Sequence, residues 1–328
     1  MPLLGWIAPA LRTQAQADAH QDALSKRVAF SLPPVKLNPG EMIILTRAWR
    51  DPKVIADIGF EFKGFRQLTG SCVGASGGNC RGTLTAVQRL LSTAPTKAFL
   101  EWWLFAYGRT RTNEGDHGQG EGAVDSAMGT TIQSEGVLPY TSDTTLPKFD
   151  TSDGLALTSQ IEMTWSDGAA SVVTNEMPTA KQFPVQGVAT CNNFDDDRNM
   201  IGNGYPILTG CSMYVGSGQV KTISGSGGSM KLAVGKYDGN GGHSTSRVGI
   251  LMGWDGIRYI LYLNNWDGST YPDDDTDKPR CSVWVPESEE SRVWQLGGDN
   301  GETMALSKEV YFPAQPDILD WSSAFWPG

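Results

Sequence analysis

Gln67-Leu-Thr-Gly-Ser-Cys72-Val-Gly-Ala-Ser76, running on to Leu91, is the stretch on which the fold of this chain turns. A Gly70-Ser71 turn delivers Cys72 to the first turn of a helix. Val73, Cys80, Leu84, Val87 and Leu91 recur at steps of seven, four, three and four, which fits one helical face and not the two-residue period of a strand. A thiol at a helix N-terminus lies at the positive end of the macrodipole, beside unpaired N–H groups that favour the nucleophilic thiolate. The other use of such a residue is as a small buried hydrophobe on a core helix. Gly74, Gly77, Gly78 and Gly82 each cost an isolated helix about 1 kcal/mol against alanine. The helix is therefore expected where other backbones pack closely against it.

The 328 residues suffice for a sizeable core, as one large domain or two small ones. A content of 39% hydrophobic and 19% charged residues is that of a globular chain, and 39 glycines with 18 prolines predict many turns and long loops. A net charge of -10 argues against a nucleic-acid partner. The longest apolar runs fall short of eighteen residues, so no membrane span is expected. The apolar N-terminus has no basic region before it and is broken by Pro9. It makes a poor secretion signal and points to a cytoplasmic protein or a component of an assembled particle, such as a viral one. The five cysteines are irregularly spaced, without a C-x-x-C pair, so neither a disulfide framework nor zinc is expected, and no cofactor is.

Residues 1–50 read as an N-terminal extension or arm, polar and helix-permissive over 14–26 and then rich in loop signals. A domain over 51–312 follows, helical to about 150 and β-rich from 151, with an aromatic tail at 313–328. A second helix over 97–108 is apolar nearly all round and predicts burial, Trp102-Trp103 included. After a glycine-rich loop at 115–122, a short helix is expected over 123–133. From 151 to 234 the pattern is mixed, with one helix near 195–201, and Gly- and Ser-rich 216–230 reads as an exposed loop. Residues 247–263 form a hairpin about Asp255-Gly256, and 281–286 form a last strand. Helices early and strands late describe an α+β protein. The acidic runs Asp195–Asp197 and 273–277 lack the Gly and distal Glu of a calcium loop and read as solvated loops, so no metal is expected.

A nucleophilic cysteine needs a base, and the chain offers His20, His117 and His243. His20 lies in the polar extension and His117 in the glycine loop. His243 opens the hairpin, where a sheet can hold its ring. Asn264 ends the returning strand, where an amide can accept the ring N–H and fix the tautomer. Trp266 follows, an aromatic able to shield that bond from water. Cysteine on an early helix, with histidine and asparagine on late strands, makes a two-part site between the helical and β halves.

The order of these motifs resembles the papain-like cysteine peptidases. Gln67…Gly70-Ser71-Cys72 resembles their nucleophile motif, and Gln133-Ser-Glu-Gly136-Val-Leu-Pro139-Tyr140 their Glu-Gly-x-x-Pro-Tyr segment. Asn203-Gly-Tyr-Pro206 resembles a segment of bacterial and phage-encoded members. Gly242-His243 and Asn264-Asn265-Trp266 resemble the histidine and Asn-Ser-Trp-Gly motifs, and Val283-Trp-Val-Pro286 the closing strand. The match runs over about residues 60–290. The resemblance implies a helical half, built on the Cys72 helix, packed against an antiparallel β half. It also implies Cys72 as nucleophile, His243 as base and acid, Asn264 as orienter, Trp266 as its cover, and Gln67 with the Cys72 N–H as oxyanion hole. The substrate would be a peptide or protein.

The chain departs from the family in particulars. Gln67 stands five residues before Cys72 where six are usual, Val73 replaces an aromatic, and Ser244-Thr-Ser-Arg247 is a polar start for a buried strand. A second reading is therefore a structural or assembly protein that keeps the fold, with residues 1–50 and 313–328 docking on other subunits. A third, a Cys-His cell-wall amidase, is disfavoured by the Asn-x-Trp motif.

Overall fold

A computed structural model describes residues 6–7, 9–91, 97–116, 121–140, 146–150, 157–166, 170–211, 215–216, 218–237, 241–266, 271–295 and 302–307. The aromatic tail at 313–328 and His117 lie outside the described residues.

The helices are α1 (Gln14–Ser25), α2 (Pro52–Ile58), α3 (Cys72–Leu91), α4 (Trp103–Asn113), α5 (Asp125–Ser134), α6 (Ser159–Ser166), α7 (Ala170–Ala180), α8 (Phe194–Gly202) and α9 (Glu287–Gln295). The strands are β1 (Met42–Ile44), β2 (Leu100–Glu101), β3 (Pro139–Tyr140), β4 (Gly187–Thr190), β5 (Ile207–Cys211), β6 (Gln219–Gly225), β7 (Gly228–Val234), β8 (His243–Met252), β9 (Arg258–Leu263), β10 (Ser282–Pro286) and β11 (Thr303–Ser307). The main sheet runs β4-β11-β5-β8-β9-β10-β7-β6, with β1 added beside β8. Its pairings are antiparallel except β10 with β7. This is the α+β arrangement expected, with helices first and an antiparallel-rich sheet after.

The α3 helix is the centre of the molecule, buried without interruption from Cys72 to Val87. Its glycines explain why a weak helix former forms a helix here. A Cβ on Gly74 would lie 2.7 Å from Trp103 and Tyr107, one on Gly78 2.8 Å from Trp103 and 2.9 Å from Phe65, and one on Gly82 2.8 Å from Phe62. The aromatics of the helical half pack onto bare backbone, and tertiary burial outweighs propensity.

Several expectations need correction. Residues 99–102 are not helical: Leu100–Glu101 pairs with Pro139–Tyr140, and the helix begins at Trp103 and extends to Asn113. Between 151 and 234 there are three helices among the described residues rather than one, because α6 and α7 show only short apolar patterns. The supposed loop at 216–230 is largely a hairpin, β6 with β7, paired from Gln219↔Val234 to Gly225↔Gly228. Ile223 is the buried residue of β6, so a strand period was barely visible there. Its tip is held by Trp254, which Gly225, Gly227 and Gly228 all approach too closely for a side chain.

Of the first fifty residues, 42–50 are built into the domain: β1 pairs with β8, and Ile43, Ile44, Leu45, Ala48 and Trp49 are buried. The acidic runs are not merely solvated. Asp195 pairs with Arg258, Asp197 with buried Arg247, and Asp274 and Asp275 accept the backbone N–H groups of Ala233 and Lys231. No group of three or more metal-ligating side chains occurs among the described residues. Nor, among them, is any helix long and apolar enough to cross a membrane.

The polar start of β8 also finds its reason. Ser244 Oγ donates to Asp125 at 2.8 Å, and Ser246 Oγ to the Ser76 carbonyl at 3.0 Å. Arg247 sits between Asp197 and Glu290, with its Nε donating to Tyr262 at 2.9 Å. Ser244, Ser246 and Arg247 are thus paired as burial requires.

Candidate active site

Cys72 opens α3, and the Ser71 carbonyl accepts the first helical bond, from Ala75, at 3.1 Å. The turn that delivers it is clamped from two sides. Glu162 of α6 accepts from the N–H of Leu68 (2.8 Å), the N–H of Thr69 (3.1 Å), the Thr69 hydroxyl (2.7 Å) and the Ser71 hydroxyl. Burial raises the Glu162 pKa, and those four donors act against it. From the other side, Glu121 accepts from Gly70 N–H at 2.7 Å, and the Tyr107 hydroxyl donates to the Gly70 carbonyl at 2.9 Å.

His243 is the first residue of β8. Its Nε2 lies 2.9 Å from Asn264 Oδ1. That oxygen also accepts from the N–H groups of Asn265 (2.8 Å) and Trp266 (3.3 Å), while Asn264 Nδ2 donates to the Tyr271 hydroxyl at 3.0 Å. The network orients the amide and thereby the ring: Nε2 carries the proton and Nδ1 the lone pair. Trp266 stacks on the imidazole with centroids 4.2 Å apart. Burial lowers the His243 pKa to about 4, opposed by the bond to Asn264, so the ring is neutral at pH 7.

The next residue joins ring to thiol, since Ser244 N–H donates to Cys72 Sγ at 3.3 Å. Asn265 Nδ2 fastens the same junction, reaching the Cys72 carbonyl (3.1 Å), Ser76 Oγ (2.6 Å) and the Ser244 carbonyl (3.1 Å). His243, Asn264 and Trp266 thus form one cluster, and Cys72 meets it through the Ser244 N–H. His243 Nδ1 has no hydrogen-bond partner among the described residues.

Gln67 is adjacent but engaged. Its N–H donates to the Asn265 carbonyl at 2.7 Å, and its side-chain Nε2 donates to the Thr69 carbonyl at 2.8 Å. His20 is elsewhere, with Nδ1 2.7 Å from Ser126 Oγ and 3.1 Å from Glu302. Asn265, Glu162 and Glu121 escaped the sequence reading. Asn265 stood beside a motif residue, but nothing in the chain links Glu162, ninety residues on, to the Cys72 turn.

The N-terminal segment closes one side. Trp6 is 4% exposed, its backbone bridges to Ala123, and the Ile7 N–H donates to the Ala123 carbonyl at 3.1 Å. Trp6 packs against Gly242, next to His243, and against Gly210, so closely that a methyl on either glycine would collide with it. Arg12 anchors the segment to Glu302 at 2.5 Å. Trp6 is therefore buried by its own chain rather than displayed for another subunit.

No protein-family model matches the sequence, and no curated protein does. Solved structures do. Xylellain, a cysteine protease from Xylella fastidiosa, superposes with a TM-score of 0.52 over 93% of this chain and 95% of its own, at 15% identity. The fold is papain-like. The proform of the ragweed cysteine protease Amb a 11 matches at 14% identity over 89% of this chain and 74% of its own, with a TM-score of 0.48. Digestive procathepsin L 3 of Tenebrio molitor matches at 12% over 88% and 78%, with a TM-score of 0.44. At such identity the papain-like likeness speaks to architecture, with the helical half against an antiparallel-rich sheet, and the chain is a divergent example of it.

Proposed function

We propose that this chain is a cysteine peptidase, or a related thiol acyl-transfer hydrolase, acting on a peptide or protein. One observation carries the reading. The Nε2–H of His243 is committed to Asn264 beneath Trp266, which leaves the Nδ1 lone pair to accept a proton, on the strand whose next N–H touches Cys72 Sγ. In this reading Nδ1 takes the thiol proton, and the thiolate attacks the scissile carbonyl carbon. The oxyanion is met by the Cys72 N–H and the Gln67 amide. The imidazolium then returns its proton to the leaving amine, and water releases the acyl group from the thioester. Two adjustments precede the chemistry. The Gln67 amide leaves the Thr69 carbonyl, and the Trp6 segment withdraws from Gly242 to admit a substrate.

The engaged Gln67 amide favours the second reading, a papain-like module without turnover. Alkylation separates the two. With residues 1–12 deleted, so that the Trp6 segment no longer closes the site, Cys72 should react at pH 6 much faster than Cys80 and Cys191, whose thiols burial pushes up, to about 12 for Cys80. His243→Ala should abolish that advantage. Equal Cys72 rates in parent and variant would remove the enzyme reading.

A further inference from the structure

The turn that leads from Gln67 into Cys72 has no covalent brace, since all five cysteines are free. A buried carboxylate takes that place. Glu162 Oε2 accepts from the Leu68 N–H at 2.8 Å, while Oε1 accepts from the Thr69 N–H at 3.1 Å, the Thr69 hydroxyl at 2.7 Å and the Ser71 hydroxyl. Thr69, Ser71 and Glu162 are all buried. The helix behind the carboxylate is itself anchored on α4: Trp165 meets Trp102 edge to face with centroids 5.3 Å apart, and Arg111 donates to the Ser166 carbonyl at 3.2 Å. An ionised carboxylate suits this set of donors, because it only accepts and offers about four lone-pair sites. The turn reaches both donors of the oxyanion site named above. Ser71 leads directly into Cys72, and the Thr69 carbonyl receives Gln67 Nε2 at 2.8 Å. The Gly70 N–H, on the same peptide group as that carbonyl, donates to Glu121 at 2.7 Å. A shift at Thr69 and Ser71 therefore moves the Cys72 N–H and the Gln67 amide together.

We propose that Glu162 is a positioning residue for the candidate reaction, a clamp that fixes the oxyanion donors relative to the nucleophile. The proposal rests on the thiol acyl-transfer reading above. Glu162 acts through residues 68–71 and not on the substrate, because its oxygens are occupied by those donors. Its contribution is preorganisation. Donors already aimed where charge develops need no rearrangement during reaction, and a misplacement of about 1 Å is enough to cost about a hundredfold in rate. Glu162→Gln keeps the shape of the side chain but turns an amide N–H₂ towards groups that also donate. Donor then meets donor, and the turn shifts.

The probe is N-acetyl-phenylalanyl-glycinal, carbon-13 labelled at the aldehyde and compared with the corresponding alcohol. It is added to the full chain and to the chain lacking residues 1–12, in which the Trp6 segment no longer closes the site. Addition of the Cys72 thiol forms the Sγ–C bond, and the thiol proton ends on the former carbonyl oxygen, which takes the oxyanion position. The alcohol cannot add. Carbon NMR reports the hemithioacetal, and competition gives both affinities. Glu162→Gln should weaken the aldehyde by about tenfold or more and the alcohol by less than about twofold. Peptide turnover should show the same split, with kcat lowered and KM nearly unchanged. Asp57→Ala, which breaks the 2.7 Å pair with Arg89 near the other end of α3, is the structural control. It should lower the melting temperature and leave the aldehyde-to-alcohol ratio unchanged. If Glu162→Gln does not fold, Thr69→Val removes one hydroxyl donor, keeps the branched shape and should shift the ratio in the same direction. An unchanged ratio in the variant, or equal loss of aldehyde and alcohol, would overturn the proposal. So would a parent that forms no hemithioacetal in either length of chain. Fast Cys72 alkylation would in that case leave the thiol reading standing, and slow alkylation would remove both.

Discussion

Acidification should expose how completely His243 is sealed. The folded ring titrates near pH 4 because it is buried under Trp266 and beside the Trp6 segment, whereas an unfolded imidazole takes its proton near 6.5. Between those values the unfolded state binds more protons than the native state, so stability falls as the pH drops. The contribution is complete above about 6.5, is lost progressively towards about 4, and does not change further below that. The difference in pKa corresponds to about 3 kcal/mol. Buried Glu101, raised to about 7, and Glu114 and Glu290, also raised, act with the opposite sign. The diagnostic quantity is therefore the stability of the parent minus that of His243→Gln, by urea denaturation at pH 7 and pH 4. It should fall by about 3 kcal/mol over that interval. Proton NMR of the histidine C2–H, assigned with the same variant, should give a midpoint near 4. Deleting residues 1–12, which removes Trp6, should admit water and raise it. A midpoint near 6.5 in the full chain would refute the claim that the ring is sealed.

Asn264→Ala should lower peptide turnover by about a hundredfold, and should also cost about 1–3 kcal/mol in urea unfolding, because the same amide meets the N–H groups of Asn265 and Trp266 and the Tyr271 hydroxyl. Equal turnover in variant and parent would remove its orienting role. Asp197→Ala leaves Arg247 buried beside Glu290 alone and should cost about 3–5 kcal/mol in urea unfolding. Asp195→Ala, at a largely exposed pair, should cost under about 1 kcal/mol. Gly78→Ala sets a helix-propensity gain of about 1 kcal/mol against overpacking of about 1–3 kcal/mol from a methyl at 2.8 Å from Trp103. It should destabilise the protein in the same assay, and a stabilised variant would show that α3 is less tightly enclosed than described.

Much of the site could be read in the chain because its chemistry rests on short local patterns. A turn before Cys72, a helical apolar step behind it, His243 at a strand start and Asn264 at a strand end each leave a mark within a few residues. The 216–230 segment shows the opposite case. Its strands are nearly all exposed and bury little but Ile223, so no alternation advertised them, and pairing with β7 made them a hairpin.

What sequence alone determined was the broad order, helices first and strands after, and the candidate site residues, since hydrophobic period, turn residues and residue chemistry are local properties. Tertiary structure alone decided the electrostatic state of those residues and their cover. The low pKa of His243 comes from burial, beneath Trp266 and beside Gly242; Trp6, which packs on Gly242, lies 237 residues from His243 in the chain. The clamp of Glu162 on residues 68–71 is likewise a meeting of distant segments. Desolvation and Coulomb interaction depend on distance in space, and the packing of the helical half against the sheet sets those distances.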